Sequence, residues 1–173
     1  ALARRAPRLM GAQPSPAEIR AAVARLVSQV IDRGRSLDEL LAGDADEGSA
    51  RGLKRSLCYG TLRWHFRLVE VLRCLCERPA EQLPPELRAL LEVGLFQLMS
   101  GDVAPHAAVA ETVGATRVLG HDRASGFVNA VLRRVARDTP GDWMTRVAES
   151  ARSDDERLGL VFSHPVWVVR AFR

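Results

Sequence analysis

The chain has 173 residues, of which 47% are hydrophobic and 27% charged, and its formal net charge is +4. Such a profile excludes a disordered chain, a collagen repeat and a fibrous coiled coil, and a chain of this length buries roughly 70% of its unfolded surface without help from disulfides or metal. No apolar run approaches the ~20 residues of a membrane span, so no membrane partner is expected. The N-terminus carries Arg but no apolar stretch behind it, unlike a signal peptide, and three cysteines without a framework spacing suit the reducing cytoplasm.

Of the 25 cationic side chains only Lys54 is a lysine. Arginine offers planar, bidentate phosphate contacts, although a GC-rich genome produces the same bias. Cations concentrate in residues 1–40 and 51–78, acids in 41–50 and 79–104, and residues 141–173 balance.

In chain order, residues 1–14 read as a basic arm holding Arg4, Arg5 and Arg8. Arms of this kind often order only on RNA, while a frayed, solvated terminus is the plain alternative. Ser15, Pro16 and Glu18 form a capping-box pattern, and Ile19, Val23, Val27 and Val30 continue it as one apolar helical stripe that Gly34 stops. Ser36 restarts a short helix through Leu41, and 43–48 is an acidic, Gly-flanked loop.

Residues 49–78 contain no Pro and read as one long amphipathic helix. Leu53, Leu57, Trp64, Leu68, Val71, Leu72 and Leu75 share one face, with Arg51, Arg55, Arg63, Arg67 and Arg73 opposite. Pro79, Pro84 and Pro85 mark a loop. Further helices are expected over 86–99, from Pro105 to near Gly120, and over 122–137. With no period-2 alternation, the fold class is all-α, a bundle of seven or more helices. Residues 141–173 read as linker helices followed by a segment from Pro165 too short to be a finished element, hence as the truncated start of a further domain.

Catalytic chemistry is not expected in this chain by itself. Cys58, Cys74 and Cys76 lack Cys-x-x-Cys spacing and read as buried small apolar residues rather than metal ligands. His65, His106, His121 and His164 are scattered, and no glycine-rich phosphate cradle is present. Asn129 reads as a buried amide fixing how two helices meet, and His106 and Glu111 as interhelical hydrogen-bonding residues. Arg133 and Arg134 lie in the last turns of their helix, where they either complement its dipole or touch RNA.

Three segments carry a resemblance: RSLCYGTLRWHFRLVEVLRCLCERP (55–79), LPPELRALLEVGLFQLMSGDVAPHAAVAETV (83–113) and GFVNAVLRRVAR (126–137). Together they resemble the N-terminal NusB-like domain of the ribosomal RNA small subunit methyltransferase B family, and SHPVW (163–167) resembles the junction where the methyltransferase body begins. The resemblance implies a NusB-like RNA-binding domain over 15–140. It further implies a separate catalytic domain that uses S-adenosylmethionine to methylate C5 of a cytosine in 16S rRNA. No cofactor is implied for this chain itself. The implied partners are 16S rRNA and the enzyme's own C-terminal methyltransferase domain, with homodimerisation open. The family's arm and first helix map onto Arg4, Arg5, Arg8, Arg20 and Arg25, and the basic face and helix end add Arg51, Arg55, Arg63, Arg133 and Arg134. Two other readings stand beside this one: a NusB-type antitermination factor that binds leader RNA and a ribosomal protein, and a module that docks on its own enzyme body without touching RNA.

Overall fold

The computed structural model describes residues 13–43, 48–76 and 82–173. Among them it contains ten α-helices and no strand: α1 (Pro16–Arg33), α2 (Leu37–Ala42), α3 (Gly48–Arg63), α4 (His65–Leu75), α5 (Pro85–Ser100), α6 (Pro105–Val118), α7 (Ser125–Val135), α8 (Pro140–Glu149), α9 (Asp154–Phe162) and α10 (Val166–Ala171). The all-α expectation holds.

Local chemistry sets most boundaries. Ser15 Oγ accepts from the Glu18 N–H, the Glu18 carboxylate accepts from the Ser15 N–H, and Pro16 fills the first helical position of α1. Gly34, at φ 64°, closes α1 in the left-handed region that a side chain would penalise. Thr139 and Asp142 repeat the capping box at α8, and the Ser153 side chain caps α9.

The single helix expected over 49–78 is two helices. Trp64 leaves helical geometry at φ −99°, ψ 6°, and α4 starts afresh at His65. The cause is tertiary. The Phe96 ring of α5 sits directly on the backbone of Gly60, where a Cβ would lie 2.1 Å from its Cζ, and it meets Trp64 edge-on at 5.3 Å. Packing around one aromatic ring accompanies a bend at a residue that is itself neither Pro nor Gly.

α5 is the axis. It packs against α1, α3, α4, α6, α7 and α8, and its apolar residues serve two clusters. On one side Leu91 and Leu95 meet Leu68 and Leu72 of α4, Val128 and Leu132 of α7, and Trp143 and Val147 of α8. On the other, Leu90 and Val93 meet Ile19, Val23 and Val27 of α1, Leu41 of α2, Leu57 and Cys58 of α3, and Ala115 of α6. Each fully buried Leu or Val contributes about 1.5–3 kcal/mol of transfer free energy. Two buried polar side chains bond within their own helices: Gln97 Nε2 donates to the Val93 carbonyl at 3.0 Å and Thr112 Oγ1 to that of Ala108 at 2.7 Å.

α8 is part of the bundle's core: Trp143 is buried and its indole Nε1 donates to the Val135 carbonyl at 3.2 Å. α9 leans on α4 and α8, and α10 on α9. Arg67 fastens this layer, its guanidinium stacked 4.6 Å above the Trp64 ring and donating to the Val161 carbonyl. It was expected on the solvated face and is instead half-buried.

Candidate nucleic-acid interface

The ten arginines singled out in the sequence have different fates. Arg4, Arg5 and Arg8 lie outside the described residues. Arg20 is a correction: it is 4% exposed, its Nη1 donates to the Pro16 carbonyl at 2.9 Å, and burial pushes its guanidinium pKa down while Glu111 across the α1–α6 interface opposes that shift. A side chain so enclosed is not a surface for RNA. Arg25 is exposed and donates to the Val118 carbonyl at 3.0 Å, tying α1 to the end of α6. Arg51 and Arg63 are exposed near the two ends of α3, and Arg55 is half-buried 5.8 Å from the centre of the Tyr59 ring. Arg133 and Arg134 are exposed in the last turn of α7.

Compensation distinguishes other arginines of the chain from the described ones among these ten. In α8 to α10 every arginine is paired: Arg146 with Asp138 at 2.6 Å, Arg152 with Glu156 at 3.1 Å, Arg157 with Asp154 at 3.4 Å, and Arg170 and Arg173 with Asp155. Arg88 pairs with Asp32, and Arg117 with Asp122 at 3.7 Å. At the end of α7 the pattern stops. Arg133 Nε donates to the neutral Asn129 Oδ1 at 2.9 Å, and among the described residues no carboxylate lies within ion-pair distance of Arg133, Arg134 or Arg137.

Asn129 is therefore not the buried interhelical amide expected; it is half-buried and bonds within its own helix. His106, expected to bond between helices, is exposed at the start of α6. It faces a cleft of about 280 Å³ that Arg133 of α7 and Arg137, two residues past its end, line from the other side, with Pro105, Val109 and Ala136 between them. The sequence does not mark Arg137 as a site residue, and it offers His106 only as an interhelical hydrogen-bonding residue. The four-residue step from Arg133 to Arg137, within the helix expected over 122–137, was available as a signal; that α7 ends at Val135, two residues before Arg137, and that α6 approaches it there, was not.

A second cavity, of about 360 Å³, opens between α4 and the α9–α10 turn and is lined by His65, Glu70, Arg73, Arg88, Glu156 and His164 among others. Behind it Glu92 is fully buried, its Oε2 2.7 Å from His65 Nδ1. Burial pushes its carboxyl above the ordinary glutamate range, opposed by His65 and Arg88.

Of the cysteines only Cys58 is buried; Cys74 is exposed and Cys76, just past the end of α4, is half-exposed, contrary to expectation. Burial still raises both of their thiol pKa values, the opposite of nucleophile activation. Among the described residues no cluster of three His, Cys, Asp or Glu could hold a metal, and no helix is long and apolar enough to cross a membrane.

Comparison with known proteins fits this frame. The chain is 34% identical over 157 residues to the ribosomal RNA small subunit methyltransferase B of Pseudomonas putida, covering 89% of this chain and 34% of the relative. With the Yersinia enterocolitica protein of the same name it shares 33% identity over 153 residues, 87% of this chain and 34% of the relative. The chain thus spans about a third of the length of the curated relatives it matches. Among solved structures, T. maritima NusB superposes with a TM-score of 0.63 at 19% identity, covering 77% of this chain and 99% of that one. The NusB family profile matches residues 17–137, ending just before α8, and the chain belongs to the NusB family.

Proposed function

We propose that this chain is the RNA-binding module of a 16S rRNA cytosine-C5 methyltransferase, which grips small-subunit rRNA through backbone phosphates while methyl transfer takes place elsewhere in the enzyme. The observation that carries this reading is the identity of 33–34% over nearly the whole chain with proteins named ribosomal RNA small subunit methyltransferase B. Exposed arginines without carboxylate partners support it, since phosphate contacts position an RNA without reading its sequence. Aromatics make up only 5% of the residues, so base stacking plays a small part.

S-adenosylmethionine belongs, on this reading, to the two-thirds of the relatives that this chain does not span. The all-helical described residues have no strand-to-helix glycine turn to cradle it. The cytoplasm is the compartment where rRNA is met. The enzyme's own methyltransferase domain is the second partner, and Phe162, Trp167 and Phe172, exposed to 64%, 72% and 89%, supply apolar surface for it.

The test is a fluorescence titration against a small-subunit rRNA hairpin and a scrambled RNA of equal length at several salt concentrations. Tighter binding to the hairpin, with a log–log salt slope of several released counterions, is the expected result. Equal, weak binding to both would overturn the RNA-recognition role. A stable complex with a ribosomal protein on leader RNA would move the chain to antitermination.

A further inference from the structure

We infer that the cleft between the first turn of α6 and the last turns of α7 is a phosphodiester-binding site, in which Arg133, Arg137 and His106 clamp the RNA backbone and Asn129 positions Arg133. The inference rests on the RNA-binding reading above and gives it a place on the molecule.

Four observations converge there. The cleft is concave and large enough, at about 280 Å³, to admit a phosphate with part of its sugar. Its polar lining is wholly basic, Arg133 from α7, Arg137 from the turn just past it and a histidine from α6, with no acidic side chain among the lining residues. Asp138, one residue beyond Arg137, is held by Arg146 at 2.6 Å and is thereby drawn into the α8 layer. Finally, Asn129 takes only the Nε–H of Arg133 at 2.9 Å, which leaves both Nη groups for the two-pronged grip that guanidinium makes on a phosphate.

A simpler account exists for the α7 arginines: cations near a helix C-terminus complement its dipole. That account covers Arg133 and Arg134 but not His106, which arrives from the opposite wall at the start of another helix. It also leaves unexplained why a neutral amide, rather than a carboxylate as in α8 to α10, partners Arg133. An uncharged partner preserves the full charge for a ligand.

Asn129 is a positioning residue on this reading. Removing its amide frees the guanidinium to rotate, which weakens the grip on RNA without touching the core.

The experiment uses the whole chain and a fluorescein-labelled small-subunit rRNA hairpin, titrated at three salt concentrations. R133Q/R137Q is expected to bind roughly tenfold more weakly with a log–log salt slope shallower by about two, and H106Q and N129A to fall between it and the wild type. R152Q/R157Q removes the same formal charge from arginines already paired with acids of α9 and is expected to leave binding unchanged. Thermal melts confirm that each exposed substitution leaves the fold intact.

If the wild type binds the hairpin and R133Q/R137Q binds equally well, the cleft is wrong while the RNA-binding module stands. An equal loss in R152Q/R157Q makes bulk charge the cause and overturns the cleft. Should inorganic phosphate alone shift the His106 ring resonances while R133Q/R137Q keeps full RNA affinity, the cleft serves free phosphate and the RNA assignment fails. Absence of RNA binding by the wild type removes both readings together.

Discussion

Eleven of the 16 residues of α5 are buried, whereas α9 buries Gly159 alone and α10 buries none. The two regions are helical for different reasons. α5 is apolar nearly all round and is held by the helices on every side of it, so its stability comes from removing side chains from water. The last two helices rely on the Ser153 cap, a left-handed turn at Ser163 (φ 56°) and exposed ion pairs, each of which is worth between nothing and about 1 kcal/mol. Helical content alone therefore says little about what holds a segment in place. The C-terminal layer stays on the bundle through a few anchors, chiefly Trp143 and Arg67.

The sharpest way to break this contrast is to remove the anchor. Trp143→Ala deletes a buried indole and its bond to the Val135 carbonyl, and is expected to destabilise the protein by about 3–5 kcal/mol. Limited proteolysis should then cut residues 140–173 well before the bundle itself; simultaneous loss of both would mean that the two regions form one unit.

A smaller effect concerns Glu92, the one fully buried carboxylate among the described residues. Burial raises the folded pKa of Glu92 above its ordinary value near 4.5, with His65, Arg88 and Asp32 as its charged neighbours. The folded state then holds a proton that the unfolded state has released. Glu92 accordingly subtracts stability as pH climbs from about 4.5 through the raised folded value. Thermal melts over that window should show the decline in the wild type and not in Glu92→Gln; identical profiles would place the slope elsewhere. At the exposed end the expected effect is smallest. Trp167→Ser should change stability by no more than about 0.5 kcal/mol, since the ring is 72% exposed, and a chemical-denaturation midpoint is sufficient to check it.

How far this was legible in the sequence differs by element. α1 and its ends follow from Ser15, Glu18 and Gly34, residues whose chemistry acts within a single turn. The break at Trp64 was not legible because its cause, the Phe96 ring on Gly60, lies on another helix. Arg20 could have been read correctly. Val23, Ala24 and Val27 stand three, four and seven residues after it and all are buried, which puts Arg20 on the apolar stripe. The charge of its guanidinium outweighed its position on the wheel. For the candidate site, Arg133 and Arg134 were visible as charges on a helix end. His106 joins Arg133 only because α6 and α7 pack side by side, across a gap of 27 residues that no local pattern spans.

Phe96 gives the two halves of the core a shared part, since it packs against both apolar clusters. No subset of the surrounding helices can release α5 without exposing residues of both clusters, so the two open together. Backbone amides in the middle of α5 therefore exchange with deuterated solvent only when the whole bundle unfolds, and their protection measures its global stability. Those of α10 report only the fraying of two turns of helix.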